Sequence, residues 1–271
     1  MKVGIIGLGF VGGAVLNSYQ NLNIQIISHD PFKKIFANKE ELYSCDGIFV
    51  CVPSPNDQFG KCDTSILEPV LDDLSNYSGV IISKVTCPPL TYAKLQKKYK
   101  NLVHAPEFLV AATAKEDYLN GEFCIIGGEE SYSKIAVGII QQGQKNIKNI
   151  LFCNIEEASM IKYSINSFLA TKVVFMNQIQ KICKAINADY NTVVDGIKFD
   201  NRIGTSHFQV PGPDGKYGFG GACFPKDTQA LEYMAKELNE SFTLLEKAIE
   251  INKTLRNLNE YFYYRNSRFF R

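Results

Sequence analysis

The chain contains no tryptophan, only three histidines and no strong excess of charge of either sign. His29, His104 and His207 are scattered and no two cysteines have Cys-x-x-Cys spacing, so we predict no metal site. Basic residues number 29 and acidic residues 28, a net charge of +1. This balance provides no basic surface for nucleic acid or an anionic membrane. No apolar run is long enough to span a bilayer, so we predict no membrane segment.

The eight cysteines are even in number, but their surroundings argue against a disulfide framework. Cys51 and Cys124 stand in apolar runs, where cysteine behaves as a small hydrophobic residue. The apolar stretch after Lys2 is broken by Gly4 and Gly7, so it predicts a strand rather than a signal peptide. We therefore expect a cytoplasmic protein with reduced thiols.

The first half alternates short apolar runs with helical patterns, which is typical of a parallel sheet with crossover helices. The runs show no polar alternation, so both faces of the sheet should be covered. The second half has only helical patterns, from residue 156 to about 187, 191–197, after Pro225, and 242 to about 264. We predict a Rossmann-type, doubly wound α/β domain over residues 1–152, followed by an all-helical dimerisation domain over 153–271.

Residues 7–12 have the sequence GLGFVG, a Gly-x-Gly-x-x-Gly motif between the first predicted strand and the first predicted helix. Gly7 would make the tight turn, Gly9 would admit a pyrophosphate, and Gly12 would allow close packing of helix and strand. The amides of Phe10 and Val11 open the helix, where a phosphate binds. Asp30 ends the second predicted strand, 18 residues after Gly12. It would accept hydrogen bonds from ribose hydroxyls, so we predict NAD as cofactor rather than NADP.

A cysteine late in the chain has the surroundings of a nucleophile. Cys223 follows a glycine-rich segment and precedes Pro225, a residue favoured in the first turn of a helix. Helix N-terminal amides and the nearby Lys226 would favour its thiolate form. Asp227 lies one helical turn further on and can face the same site.

Five segments in a fixed order resemble motifs of the UDP-glucose/GDP-mannose dehydrogenase family. They are residues 84–88 (KVTCP), 106–109 (PEFL), Lys162 with Asn166, 200–204 (DNRIG) and 218–227 (GFGGACFPKD). The resemblance implies that the C6 alcohol of a nucleotide sugar, with UDP-glucose as first candidate, is oxidised to a carboxylate. Two NAD are reduced, and Cys223 carries the thiohemiacetal and thioester.

The same resemblance implies roles for single residues. Glu107 would be the general base for hydrolysis, and Thr86 would position water beside the cofactor. Lys162 and Asn166, one turn apart, would stabilise a developing alkoxide. The substrate would also contact Phe108, Leu109 and Gly220, and Arg202 would reach the substrate of a partner subunit in a homodimer.

The sequence also departs from the family. An acidic residue usual in the family is replaced by Ala111, and an arginine usual before residues 125–126 is replaced by Glu122-Phe123. Family members continue into a second sheet domain that binds the nucleotide, so we expect a short form without that domain. The aromatic and basic residues 261–271 would end a dimer-facing helix or form a stacking surface for a base.

Two other interpretations stay open. One is a catalytically impaired, NAD-binding dimeric scaffold, or a half-enzyme completed by a partner chain. The other is a small hydroxy-acid dehydrogenase of similar build, which would need no cysteine.

Overall fold

The computed structural model describes residues 1–256, and the chain divides into two compact units. Of the described residues, the first unit comprises Met1–Pro55 and Cys62–Lys162, and the second comprises Asn56–Lys61 and residues 163–256. The division falls inside a continuous helix, beyond the boundary predicted at residue 152. The first turns of that helix belong with the sheet, because a side chain at Gly127 would come within 2.6 Å of Ala158.

Seven strands of the first unit form one sheet in the order β2-β1-β3-β4-β5-β6-β7. They are β1 (Lys2–Ile6), β2 (Gln25–His29), β3 (Gly47–Val50), β4 (Val80–Ser83), β5 (Leu102–His104), β6 (Phe123–Gly127) and β7 (Asn149–Cys153). The chain turns from β1 to one neighbour, β2, and then to the other, β3. That is the switch point at which such sheets bind ligands, beyond the carboxyl ends of the strands.

Ten α-helices lie within residues 1–256. They are α1 (Phe10–Tyr19), α2 (Lys39–Tyr43), α3 (Leu67–Asp73), α4 (Pro89–Lys98), α5 (Ala114–Asn120), α6 (Glu130–Gly143), α7 (Ile155–Ala185), α8 (Tyr190–Ile197), α9 (Phe224–Glu237) and α10 (Thr243–Leu255). No helix among these residues is long and apolar enough to cross a membrane.

The α/β fold is confirmed, but the prediction of a wholly parallel sheet is wrong at one position. Strands β5 and β6 pair antiparallel through a single pair of residues, His104 and Gly127. Strand β7 is parallel to β6. A buried apolar run has the same pattern in both directions, so the sequence carries no signal for this reversal.

The prediction that both faces of the sheet are covered is wrong at the edge of the sheet. In β7, Leu151 and Phe152 are 49% and 45% exposed. The central strands β3 and β4 are buried throughout. One core packs α1 and α6 against the sheet through Val15, Tyr19, Phe49, Ile126 and Ile140.

The second unit is helical, as predicted. Helix α7 runs for 31 residues without proline or glycine, both of which destabilise helix interiors. Two small cores lie in this unit, one around Val174 and Phe219 and one around Met176, Val194 and Phe208. The predicted extension of the last helix to residue 264, and the segment 261–271, lie outside the described residues.

Candidate functional site

The turn between β1 and α1 has the geometry that a dinucleotide requires. Gly7 has a φ of 86°, a conformation that favours glycine. A side chain at Gly12 would lie 1.9 Å from the carbonyl oxygen of Gly7, so helix and strand could not approach as they do. Gly9, the N-cap of α1, has open space where a side chain would stand, and no side chain described here caps the helix. The first amides, those of Phe10 and Val11, are therefore available to a pyrophosphate.

Asp30, which is predicted to bind the ribose hydroxyls, also stabilises this turn through hydrogen bonds. Its carboxylate accepts hydrogen bonds from the amides of Leu8, at 2.7 Å, and Lys33, at 3.1 Å. The Lys33 ammonium donates to the Leu8 carbonyl, which closes the ring of contacts. A carboxylate oxygen can accept more than one hydrogen bond, so these contacts leave Asp30 able to bind a ribose as well. The sequence indicated Asp30 but gave no sign of Lys33.

A cleft of about 470 Å³ lies beside the turn. Gly9, Phe10 and Gly13 form part of its lining, and Ala111 and Ala112 form another part. The alanine that replaces the family's acidic residue therefore lies beside the dinucleotide turn. The residues present fit NAD at this place.

Glu107 and Lys162, which the sequence assigned separate roles, form a buried ion pair in the first unit. The Lys162 ammonium lies 3.2 Å from Glu107 Oε1, and their side chains are 3% and 6% exposed. The ammonium also donates to the Glu107 carbonyl, and it lies 5.1 Å from the centre of the Phe108 ring. The other carboxylate oxygen accepts the amide of Leu109 at 2.7 Å. These contacts fix the orientation of the Glu107 carboxylate.

Thr86 follows β4 at the carboxyl edge of the sheet. Its carbonyl accepts a hydrogen bond from Ser54 at 2.7 Å, while no residue in 1–256 bonds its hydroxyl. The hydroxyl is half-buried and has the chemistry to hold water or a ligand. Beside it in the chain, burial lowers the pKa of Lys84, whose ammonium lies over the Tyr118 ring. Burial also lowers the pKa of His104 to about 3, so this imidazole is neutral.

Cys223 occupies the N-cap position of α9, with Phe224 as the first helical residue and Pro225 next. It is half-buried, and no side-chain hydrogen bond caps the helix at this residue. The helix N-terminus predicted around Pro225 is confirmed. A thiol here lies beside helix amides, which favour the thiolate. None of the eight cysteines, all within residues 1–256, forms a disulfide bond.

Asn166 and Asp227 meet inside the second unit. Asn166 Nδ2 donates to Asp227 Oδ2 at 2.6 Å, and both side chains are buried. The Lys226 ammonium lies 2.6 Å from Asp227 Oδ1. Sequence spacing placed Asp227 near the cysteine, but it did not show that this carboxylate pairs with Lys226. The positive charge predicted to act on the thiol is therefore shared with a carboxylate.

Two predicted substrate residues have other neighbours in this structure. The Arg202 side chain is 87% exposed and pairs with Asp200 at 2.5 Å. A side chain at Gly220 would lie 2.3 Å from Arg256 Nη1. A side chain at this position would displace the end of the Arg256 side chain.

A Rossmann-type sheet with an open glycine turn at its switch point defines a dinucleotide-binding protein. The family model of the UDP-glucose/GDP-mannose dehydrogenase NAD binding domain matches residues 31–142, and that of the central domain matches residues 156–254. The chain belongs to the UDP-glucose/GDP-mannose dehydrogenase family.

Individual relatives agree with this assignment. The chain is 31% identical to a UDP-glucose 6-dehydrogenase of Rickettsia bellii, over 93% of this chain and 67% of the relative. It is 36% identical to the UDP-glucose 6-dehydrogenase TuaD of Bacillus subtilis, over 78% of this chain and 47% of the relative. It thus spans about half to two thirds of these relatives. A UDP-glucose dehydrogenase structure from Pyrobaculum islandicum has the same fold, with a TM-score of 0.78 at 22% identity, over 93% of this chain and 68% of that one.

Proposed function

We propose that the protein is an NAD-dependent nucleotide-sugar 6-dehydrogenase that oxidises the C6 alcohol of a sugar such as UDP-glucose to the carboxylate. The observation that carries this proposal is Cys223 at the N-terminus of α9, in the unit that also holds the buried Asn166–Asp227 pair. A nucleophile at a helix N-terminus suits a two-step oxidation, because covalent capture keeps the aldehyde from leaving. The similarity to UDP-glucose 6-dehydrogenases supports UDP-glucose as the first substrate to test.

Bound NAD supplies the hydride acceptor, and a second NAD replaces the first NADH after the first oxidation. The alcohol loses a hydride and a proton to give an aldehyde. Cys223 Sγ then bonds to the aldehyde carbon, and the thiol proton passes to the aldehyde oxygen to give a thiohemiacetal. The thiohemiacetal loses a hydride to the second NAD, together with a proton, and becomes a thioester. Water then attacks the acyl carbon, the carbon–sulfur bond breaks, and the carboxylate and the thiol are released.

Each residue has a role that its contacts allow. Lys162 and Asn166 stabilise the developing alkoxide and orient the reacting carbon, and Asp227 holds the Asn166 side chain. Glu107 accepts the proton of the attacking water, with its carboxylate held by the Leu109 amide and Lys162. Thr86 positions this water through its hydroxyl, and Phe108, Leu109 and Gly220 contact the sugar nucleotide.

The experiment that tests the proposal counts NADH formed per sugar consumed, with NAD and a panel of nucleotide sugars. We expect two NADH per UDP-glucose. Cys223→Ser should retain NAD binding and lose the second oxidation. No turnover with any sugar, despite NAD binding, would favour the scaffold or the half-enzyme. Full activity of Cys223→Ser on a hydroxy acid would favour the small hydroxy-acid dehydrogenase.

We also propose a homodimer formed through the second unit. Phe168, Phe175 and Ile182 stand seven residues apart on α7 and are 68%, 57% and 56% exposed. Large apolar side chains in a row at this spacing are typical of a helix that packs on another protein surface. Sedimentation velocity should give a dimer at micromolar concentration and a monomer for Phe175→Glu. A monomeric wild type would contradict this proposal. A cytoplasmic location stays a prediction from the sequence.

A further inference from the structure

We infer that Asn252 is a positioning residue for Cys223. Together with Asn177 and Arg256 it holds the backbone of Gly218 and Phe219. These two residues lie in the segment 218–222 before Cys223, which we call the cysteine loop. The effect of this positioning on catalysis rests on the proposed function.

The Asn252 side chain donates one hydrogen bond to Phe219 of the loop and accepts one from it. Its Nδ2 donates to the carbonyl of Phe219 at 2.9 Å, and its Oδ1 accepts the amide of Phe219 at 2.7 Å. The side chain is fully buried. Only a carboxamide offers a donor and an acceptor in this arrangement, and a buried peptide without both partners is destabilised.

Two other side chains hold the preceding residue. The amide of Gly218 donates to Asn177 Oδ1 at 3.0 Å, and Arg256 Nη2 donates to the carbonyl of Gly218 at 3.3 Å. Arg256 also pairs with Asp214 at 2.7 Å. Two consecutive residues of the loop are therefore bonded through both amide and carbonyl to side chains of α7, α10 and the residue that follows α10.

The glycines of the loop fit these side chains closely. A side chain at Gly218 would lie 2.2 Å from Asn252 Oδ1, and one at Gly220 would lie 2.3 Å from Arg256 Nη1. Gly221 differs, because it has open space where its side chain would stand. Asn252 and Arg256 thus occupy the space that a side chain at Gly218 or Gly220 would need.

The fixed peptide connects directly to the surroundings of the cysteine. The ring of Phe219 packs with Val174 in one small core of the unit. It also meets the ring of Phe224 edge to face, with centroids 6.3 Å apart. Phe224 follows Cys223 and begins α9. Asn252 therefore orients Cys223 through the backbone and ring of Phe219.

The test compares Asn252→Leu, which keeps the branching at Cγ but has no hydrogen-bonding group, with Asn252→Asp, which keeps only the acceptor. Lys253→Ala, an exposed neighbour on the same helix, is the matched control. We expect the Phe219 amide to exchange its hydrogen about tenfold faster in Asn252→Leu, with a smaller change in Asn252→Asp. The amide of Leu231 in α9 should keep its wild-type exchange rate, which shows that the unit is folded.

In the same variant, kcat should fall about tenfold while KM for UDP-glucose stays within about twofold, since the loop places the nucleophile. Unchanged Phe219 exchange, or faster exchange with unchanged kcat, would overturn the inference. If Asn252→Leu does not fold, the same criteria apply to Asn252→Asp. If the wild type has no turnover, the proposed function fails, and the rate at which iodoacetamide labels Cys223 tests the positioning role instead. A labelling rate that differs between Asn252→Leu and wild type by about threefold or more supports this role of Asn252, and equal labelling rates refute it.

Discussion

Replacing Lys162 with methionine should strongly destabilise the first unit, because it leaves the Glu107 carboxylate buried without its cation. The two side chains are 3% and 6% exposed and lie 3.2 Å apart. Removing one partner of a buried pair costs about 3–5 kcal/mol. Methionine keeps the apolar length of lysine, so lost packing contributes little.

The assay is native-state hydrogen exchange at the amides of Ile81 and Ala105, which bond to carbonyls in the sheet region of this unit. Exchange reports the opening free energy of the unit itself, which is preferable where two units can unfold separately. Lys148→Met is the matched control, because Lys148 and Glu122 form an ion pair with side chains 67% and 62% exposed. Its loss should cost about 0–1 kcal/mol.

A double-mutant cycle with Glu107→Gln then isolates the pair. We expect the double variant to be more stable than the sum of the single losses predicts, by about 2 kcal/mol. Losses that add to within about 0.5 kcal/mol would refute the coupling. So would a Lys162→Met variant that is no less stable than Lys148→Met.

Three further predictions concern the cofactor, the thiols and pH. NAD should bind more tightly than NADP, and Asp30→Ala should narrow the difference in titration calorimetry; equal affinities in the wild type would refute the role of Asp30. Iodoacetamide at neutral pH should label Cys223 before Cys51, because burial raises the pKa of Cys51 to about 12. Mass spectrometry that shows the reverse order would contradict the proposal that Cys223 is the nucleophile. Burial lowers the pKa of His104 to about 3. As the pH falls, the unfolded chain therefore binds a proton at this residue before the folded chain does. The free energy of unfolding should fall as the pH drops from about 6.5 towards 3. His104→Phe should lessen that fall in chemical denaturation, and an unchanged pH dependence would argue against a neutral buried imidazole.

The sequence by itself determined the cofactor-binding turn and the position of Cys223 at the start of a helix. The glycine motif, the strand before it and Asp30 are local features, because a tight turn and a helix N-terminus are built from adjacent residues. The same holds for Cys223, since proline in the next turn sets where α9 begins. These elements appear in the structure where the sequence predicted them.

Only the tertiary structure decided which side chains meet. Spacing put Lys162 and Asn166 on one face of a helix, but it could not show that one bonds to Glu107 and the other to Asp227. The sequence also contained no signal for the antiparallel pairing of β6 with β5 or for the hydrogen bonds between Asn252 and Phe219. Such pairings join residues far apart in the chain. Local propensity and periodicity report on neighbours along the chain, whereas the burial and geometry that select distant partners exist only once the chain has packed.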